Sequence, residues 1–202
     1  IPEYVNIISD FSKNINYSNY IAFGGKVIPC YNEGKAPKWI SPHISGLVSE
    51  VDLGKKVRLF SKKYPAGCNM IFRREFFEKY GGFNTDLHTR GDDKFIFLKL
   101  KEVGHRILYI PSLMVSHFID DYRLEKSFII RLSKVIGQSE AIRLKNKNFL
   151  KKFLKQGEYL FKLGAALLLS LSFMVKGQTL KAGYIILVRW FIFVGYYVDK
   201  KL

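Results

Sequence analysis

Cysteine is scarce in this chain: Cys30 and Cys68 are the two in 202 residues. Two thiols make no disulfide framework, and neither a Cys-x-x-Cys pair nor a Cys/His zinc spacing occurs. That usage suits a reducing compartment. The phosphate-cradling G-x-x-x-x-G-K-[ST] loop, the dinucleotide G-x-G-x-x-G and the hydrolase G-x-S-x-G are missing too. Loop ATPases, dinucleotide enzymes and serine hydrolases are thereby left without their signatures. Acidic side chains are few: 17 Asp and Glu stand against 33 Lys and Arg, a formal charge of +16. The opening Ile1-Pro2-Glu3-Tyr4 has no initiator Met, basic region or apolar stretch. It reads as the interior of an open reading frame and not as a signal peptide.

What is present supports a folded chain. Apolar residues make up 48% of the sequence, outside the composition of disorder. A chain of 202 residues allows a domain with an appendage and a real core. The positive charge is uneven. Residues 1–121 hold 17 basic and 13 acidic side chains, and residues 122–202 hold 16 and 4. The chain is therefore expected to divide into 1–121 and a basic tail, 122–202, of a sign that attracts lipid or nucleic-acid phosphates. Residues 2–13 are expected as an amphipathic helix, with Val5, Ile8 and Phe11, or Ile7 and Phe11, inward. Residues 20–29 read as a strand with a close-approach Gly24-Gly25 pair, stopped by Pro29. A loop follows over residues 30–45, and residues 48–53 and 57–60 are short strand candidates.

Residues 67–117 are the densest in chemistry-bearing side chains. Residues 69–72 form an apolar run suited to a buried strand. Residues 74–80 are expected as a short helix broken by Gly81-Gly82. A second helix is expected over residues 92–103, with Gly104 as its C′ residue. Residues 106–110 read as a strand halted by Pro111, and residues 113–117 as another. Asp92 and Asp93 thus stand at a helix N-terminus, where carboxylates cap free N–H groups and offset the helix dipole. One helix and one strand later, His117 stands at a strand end. Brought together, such groups can handle a proton and a divalent metal.

The ordered set Gly67-Cys68-Asn69-Met70, Phe72-Arg73-Arg74-Glu75 with Phe77, Gly81-Gly82-Phe83, Gly91-Asp92-Asp93, Gly104, Tyr109 with Pro111, and Val115 with His117 resembles the acceptor-side half of family-2 glycosyltransferases. The resemblance covers roughly the first 120 residues. It implies an α/β, GT-A fold and inverting transfer of a sugar from a nucleotide-sugar donor. It implies Asp93 as the base for the attacking hydroxyl, with Asp92 orienting it or binding acceptor. The family's usual Glu-Asp is Asp-Asp here, one carbon shorter at Asp92. His117 is implied as a ligand of Mn or Mg, completing a site begun by an acidic D-x-D-like motif. That motif often closely precedes a segment like residues 1–8, so the domain is expected to be incomplete and to start just past its nucleotide-binding half. Gly67, Asn69 and Met70 would shape the floor of the acceptor pocket or simply pack a strand. Trp39, with Tyr31, can stack on a sugar ring or cover the core edge. Arg123 can clamp a phosphate.

Beyond Arg123 the character changes. Residues 126–154 are helix-prone, with Phe128, Ile129, Leu132, Val135 and Ile136 on one side. Two apolar segments follow: 163–175, of 13 residues, and 182–198, of 17 with Arg189 inside. Both are shorter than the roughly 20 residues that cross a bilayer straight. Lysines flank them, and Trp190, Tyr196 and Tyr197 resemble interfacial anchors. A membrane hairpin, two in-plane helices and a buried helical pair all fit. Basic flanks on apolar helices suit acidic headgroups, so attachment at the cytoplasmic face of the cell membrane is expected.

The expected whole is an incomplete GT-A domain with a basic, apolar, α-helical tail. The resemblance implies that it belongs to a metal-assisted glycosyltransferase acting on a glycan or lipid-linked acceptor in cell-envelope polysaccharide synthesis, and the fragment is expected to be inactive alone. Two other classes fit the charge. One is a non-catalytic module for a membrane surface or nucleic acid; the other is a degenerate transferase subunit that only binds glycan. Aromatics interleaved on a basic face, as single-strand binding needs, are not obvious outside the apolar segments, which disfavours nucleic acid.

Overall fold

The computed structural model describes residues 19–61, 63–84 and 91–198, together with Asn6 and Ser9. The helix expected over residues 2–13 lies outside these, apart from Asn6 and Ser9, which are helical. The chain groups into two compact units. The first comprises Ile1–Cys30, Val48–Thr85 and Asp92–Phe118; the second comprises Tyr31–Leu47, Asp86–Gly91 and Ile119–Leu202. The loop after the first strand therefore packs with the helices of the tail.

Four strands build the first unit: β1 (Ala22–Tyr31), β2 (Arg58–Leu59), β3 (Met70–Phe72) and β4 (Ile107–Ile119). They lie in the order β2-β4-β1-β3. β1 and β3 are antiparallel, with Ala22 opposite Phe72 and Gly24 opposite Met70. β2 and β4 are also antiparallel, with Arg58 opposite Tyr109. The run Ile107–Ile110 is buried throughout because both faces of β4 are covered there. Ile107 and Tyr109 pack with Phe76, Ile96 and Leu100, whereas Leu108 and Ile110 pack with Phe23 and Leu113. From Ser112 onward the strand alternates, and Leu113, Val115 and His117 share its more covered face.

Three strand expectations need correction. Pro29 and Pro111 stop nothing: β1 runs through the first, and β4 is one strand through the second. A proline breaks a ladder only where a partner needs its N–H. Pro29 lies beyond the Ala22–Gly24 pairing with β3, and Pro111 beyond the two-residue reach of β2. Residues 48–53 form no strand. Val48 ends a 3-10 turn, and Val51 makes a lone bridge to Val27.

The Gly24-Gly25 pair does bring backbones together, as expected. A Cβ at Gly25 would fall 1.6 Å from the Leu113 carbonyl oxygen, and one at Gly24 would fall 2.6 Å from Pro65 Cβ. Helix α1 (Arg74–Tyr80) buries Phe76, and α2 (Asp92–Glu102) buries Ile96, Phe97 and Leu100. Gly104, at φ +81°, closes α2. Its N–H donates to Lys101 and that of His105 to Leu100, which satisfies the last carbonyls in a Schellman arrangement.

The second unit holds α3 (Lys126–Leu144), α4 (Phe149–Val175) and α5 (Thr179–Val198). The helix expected over residues 126–154 is interrupted. Asn148 caps a new one, its side chain accepting from the Lys151 N–H at 3.1 Å. The two apolar segments also lie within longer helices than their uncharged stretches suggest, 27 and 20 residues. By length and composition each can cross a membrane.

Ile129, Leu132, Tyr159, Ala166, Ile185 and Ile192 form the core of this unit, together with Trp39, Ile44 and Leu47 of the loop. Glu140 is buried, and its charge is met by Arg143 at 2.8 Å and Lys155 at 3.2 Å. Lys155 also pairs with Glu158, which pairs with Lys162.

α3 and α5 touch backbone to backbone. A Cβ at Gly137 would sit 2.1 Å from the Ile192 carbonyl oxygen, and one at Gly195 would sit 2.1 Å from that of Lys134. Backbone cannot turn aside as a flexible side chain can. Gly137→Ala is therefore expected to destabilise the helical unit by about 1–3 kcal/mol despite alanine's better helix propensity. A chemical-denaturation midpoint at or above that of the parent would refute the close approach.

Candidate functional site

The Gly67–Asn69 turn is built onto the two central strands. Asn69 is 2% exposed. Its backbone N–H donates to Ala66, and its side-chain Nδ2 donates to the carbonyls of Lys26 at 3.0 Å and Leu113 at 2.9 Å. Those carbonyls belong to β1 and β4. One buried amide thus ties the turn to two strands at once, and Gly24 leaves the room for it. Asn69 is a positioning residue, because both amide hydrogens are spent on backbone. Of its two expected roles, strand packing is the one these bonds describe. Met70 pairs in the sheet opposite Gly24 and is half-buried.

This turn meets the start of α2. A Cβ at exposed Gly67 would lie 3.7 Å from Asp93 Cβ. Asp92 and Asp93 occupy the first turn of α2, Asp92 exposed and Asp93 half-buried. Asp93 Oδ1 accepts the Lys94 N–H at 2.7 Å. A carboxylate so placed is stabilised by the helix dipole and held by short connections on both sides.

Cys68 reports on that carboxylate. Its residue surface is open to solvent. Even so its thiol is pushed up, first by lost solvation within the turn and also by the Asp93 charge, against a backbone hydrogen bond that pulls it down. Removing the charge should let the thiolate form at lower pH. With Cys30 replaced by Ser, Asp93→Asn is expected to speed iodoacetamide alkylation of Cys68 at mildly alkaline pH. An unchanged rate would mean that the Asp93 carboxylate does not reach the sulfur.

His117 lies in the first unit on β4, half-buried, on the face of Leu113 and Val115. It is four residues beyond the carbonyl that anchors Asn69, about 13 Å along the strand. Among the described residues no three His, Cys, Asp or Glu side chains converge to hold a metal.

The other two expected residues sit in the second unit. Trp39 is 7% exposed, with its ring stacked on Tyr184 at 4.7 Å. A ring so covered packs α5 and has no open face for a sugar, so its core-covering role is the one the structure shows. Arg123 is half-buried, its guanidinium 5.8 Å over the Phe128 ring. Sequence reasoning missed that the main-chain carbonyls of Lys26 and Leu113 are the partners that fix the turn. The Gly24-Gly25 pair was the available signal.

Among known proteins, the chain is similar to a glycosyltransferase. Specifically, the chain is similar to the glucosyl-dolichyl phosphate glucuronosyltransferase of Haloferax volcanii, at 24% identity over 148 residues. That similarity takes in 70% of this chain and 46% of the relative, so the chain spans under half of the relative's length. No family model matches the chain, and no solved structure matches it.

Proposed function

We propose that this chain is the acceptor-side part of a glycosyltransferase that moves a sugar from a nucleotide-sugar to a hydroxyl of a glycan or lipid-linked acceptor. The observation that carries the reading is Asp93 in the first turn of α2, set against the turn that Asn69 pins to β1 and β4. The similarity to a glucuronosyltransferase named for a dolichyl phosphate substrate supports the same class. In this reading Asp93 removes the proton from the acceptor hydroxyl as its oxygen attacks the anomeric carbon. The bond from that carbon to the diphosphate breaks on the opposite face. The nucleoside diphosphate leaves with the electron pair, and the configuration inverts. A carboxylate held on a fixed frame meets the geometric demand on such a base. Asp92, exposed beside it, would orient Asp93 or bind the acceptor.

A Mn or Mg ion belongs to the reading, with His117 as one donor, but the described residues supply no complete set. The proton transfer at Asp93 does not pass through it. Attachment to the cytoplasmic face of the cell membrane, where a lipid-linked acceptor resides, is part of the same proposal. The two long apolar helices support it. The test is transfer by Asp93→Asn in the full-length protein. Retained turnover removes the assignment.

A further inference from the structure

α4 carries a second apolar face, on the side turned away from the core. Its inward side carries Tyr159, Ala166 and Ser170. Lys155, Glu158 and Lys162 are engaged in ion pairs with Glu140 and with one another. Its outer side carries Leu160, Phe161, Leu167, Leu168, Leu171 and Val175, between 51% and 90% exposed. These recur at helical spacing, so they form one continuous stripe. Eleven of the nineteen exposed large apolar side chains among the described residues are on this one helix. A stripe of this size marks a contact surface.

We infer that α4 lies along the surface of an anionic bilayer with this stripe immersed, and that neither α4 nor α5 crosses it. Charge complementarity selects the occupant: residues 122–202 carry 16 basic and 4 acidic side chains. Exposed Lys145, Lys151 and Lys176 flank the stripe at the ends of α4. Coverage of α5 rules out crossing. Its C-terminal half is locked to α3 at Gly137 and Gly195, and α3 exposes Lys126 and Arg131. Its N-terminal half and middle hold the loop: Tyr184 stacks on Trp39, and the Arg189 guanidinium donates to the His43 carbonyl at 3.1 Å. A crossing α5 would carry those charges and that loop backbone into hydrocarbon, where neither is tolerated facing lipid. The uncharged part of α4, residues 163–175, is about 20 Å long, less than the hydrocarbon thickness. The inference rests on the membrane attachment proposed above, but its test uses no sugar transfer.

The test is flotation of the full-length protein with vesicles of phosphatidylcholine alone and of an equal mixture with phosphatidylglycerol. Binding to the mixed vesicles, weakened by salt, is expected. The double variant Leu168→Glu/Leu171→Glu should partition about a hundredfold more weakly, with its helical circular dichroism unchanged. Phe118→Ser, on β4, should bind like the parent. With Cys30 and Cys68 replaced by Ser, nitroxides at positions 160, 167, 171 and 175 should report one shallow depth. A depth that runs toward the bilayer centre along those four positions would overturn the in-plane arrangement. Failure to float would overturn membrane docking, as would a vesicle-free dimer with the nitroxides coupled across its interface. A transfer-dead protein that still floats would sink the proposed activity and leave this inference standing.

Discussion

Replacing Asp93 with Asn is expected to cut sugar transfer by about 10²- to 10⁴-fold, the usual contribution of a general base, and to leave folding intact. The substitution discriminates well because asparagine keeps the shape and the acceptor oxygen. The contact from the Lys94 N–H to Oδ1 at 2.7 Å survives it. Asparagine also serves at a helix start as well as aspartate does, so the stability cost stays within about 1 kcal/mol. What is lost is the negative charge and, with it, proton acceptance. If Asp93 did no more than finish the α2 N-terminus, Asp93→Asn would transfer sugar at the parental rate with the parental melting temperature. Activity and thermal unfolding measured on one preparation separate the two roles. The effect should appear in kcat, because the base acts in the transition state.

The largest effect on stability is expected at Asn69, from a change of one atom. In Asn69→Asp the amide that donates to Lys26 and Leu113 becomes a carboxylate with nothing to donate. An anion would then face two carbonyl oxygens at a site 2% exposed. We expect a loss of about 3–5 kcal/mol at neutral pH, the scale for an uncompensated buried charge. The pH dependence has a definite sign. Burial against acceptors raises the folded-state titration of the new carboxyl above its unfolded value near 4. The variant is therefore least impaired below that unfolded value and loses stability as pH rises through the folded one. Asn69→Ala has no such titration. It should cost about 1–3 kcal/mol for each orphaned carbonyl and follow the parent's pH profile. Denaturant unfolding at acidic and neutral pH checks both variants. A carboxylate variant as stable as the parent at neutral pH would contradict the buried double anchor.

Helix ends were legible in the chain because their signals are local. Gly81 and Gly104 sit where α1 and α2 stop, at φ +76° and +81°, and the acidic pair opens α2 as its spacing indicated. Prolines misled for the opposite reason. Whether Pro29 or Pro111 ends a strand depends on partners far away in sequence, and β3 has ended before Pro29 and β2 before Pro111. Trp39 could be read as a sugar platform or a core residue until Tyr184 was seen against it.

By itself the sequence determined the uneven charge, the helix termini and the acidic pair at the head of α2. Each follows from composition or from residues within a turn of one another. Tertiary structure decided which polar groups face inward and which apolar ones face out. Asn69 could shape a pocket floor or pack a strand, and packing shows its amide spent on two strands. α4 is an ordinary mixture of lysines and leucines until its ion pairs turn toward Glu140 and its leucines turn away. Composition counts side chains along the chain, whereas desolvation acts on where each one points, and only packing sets that.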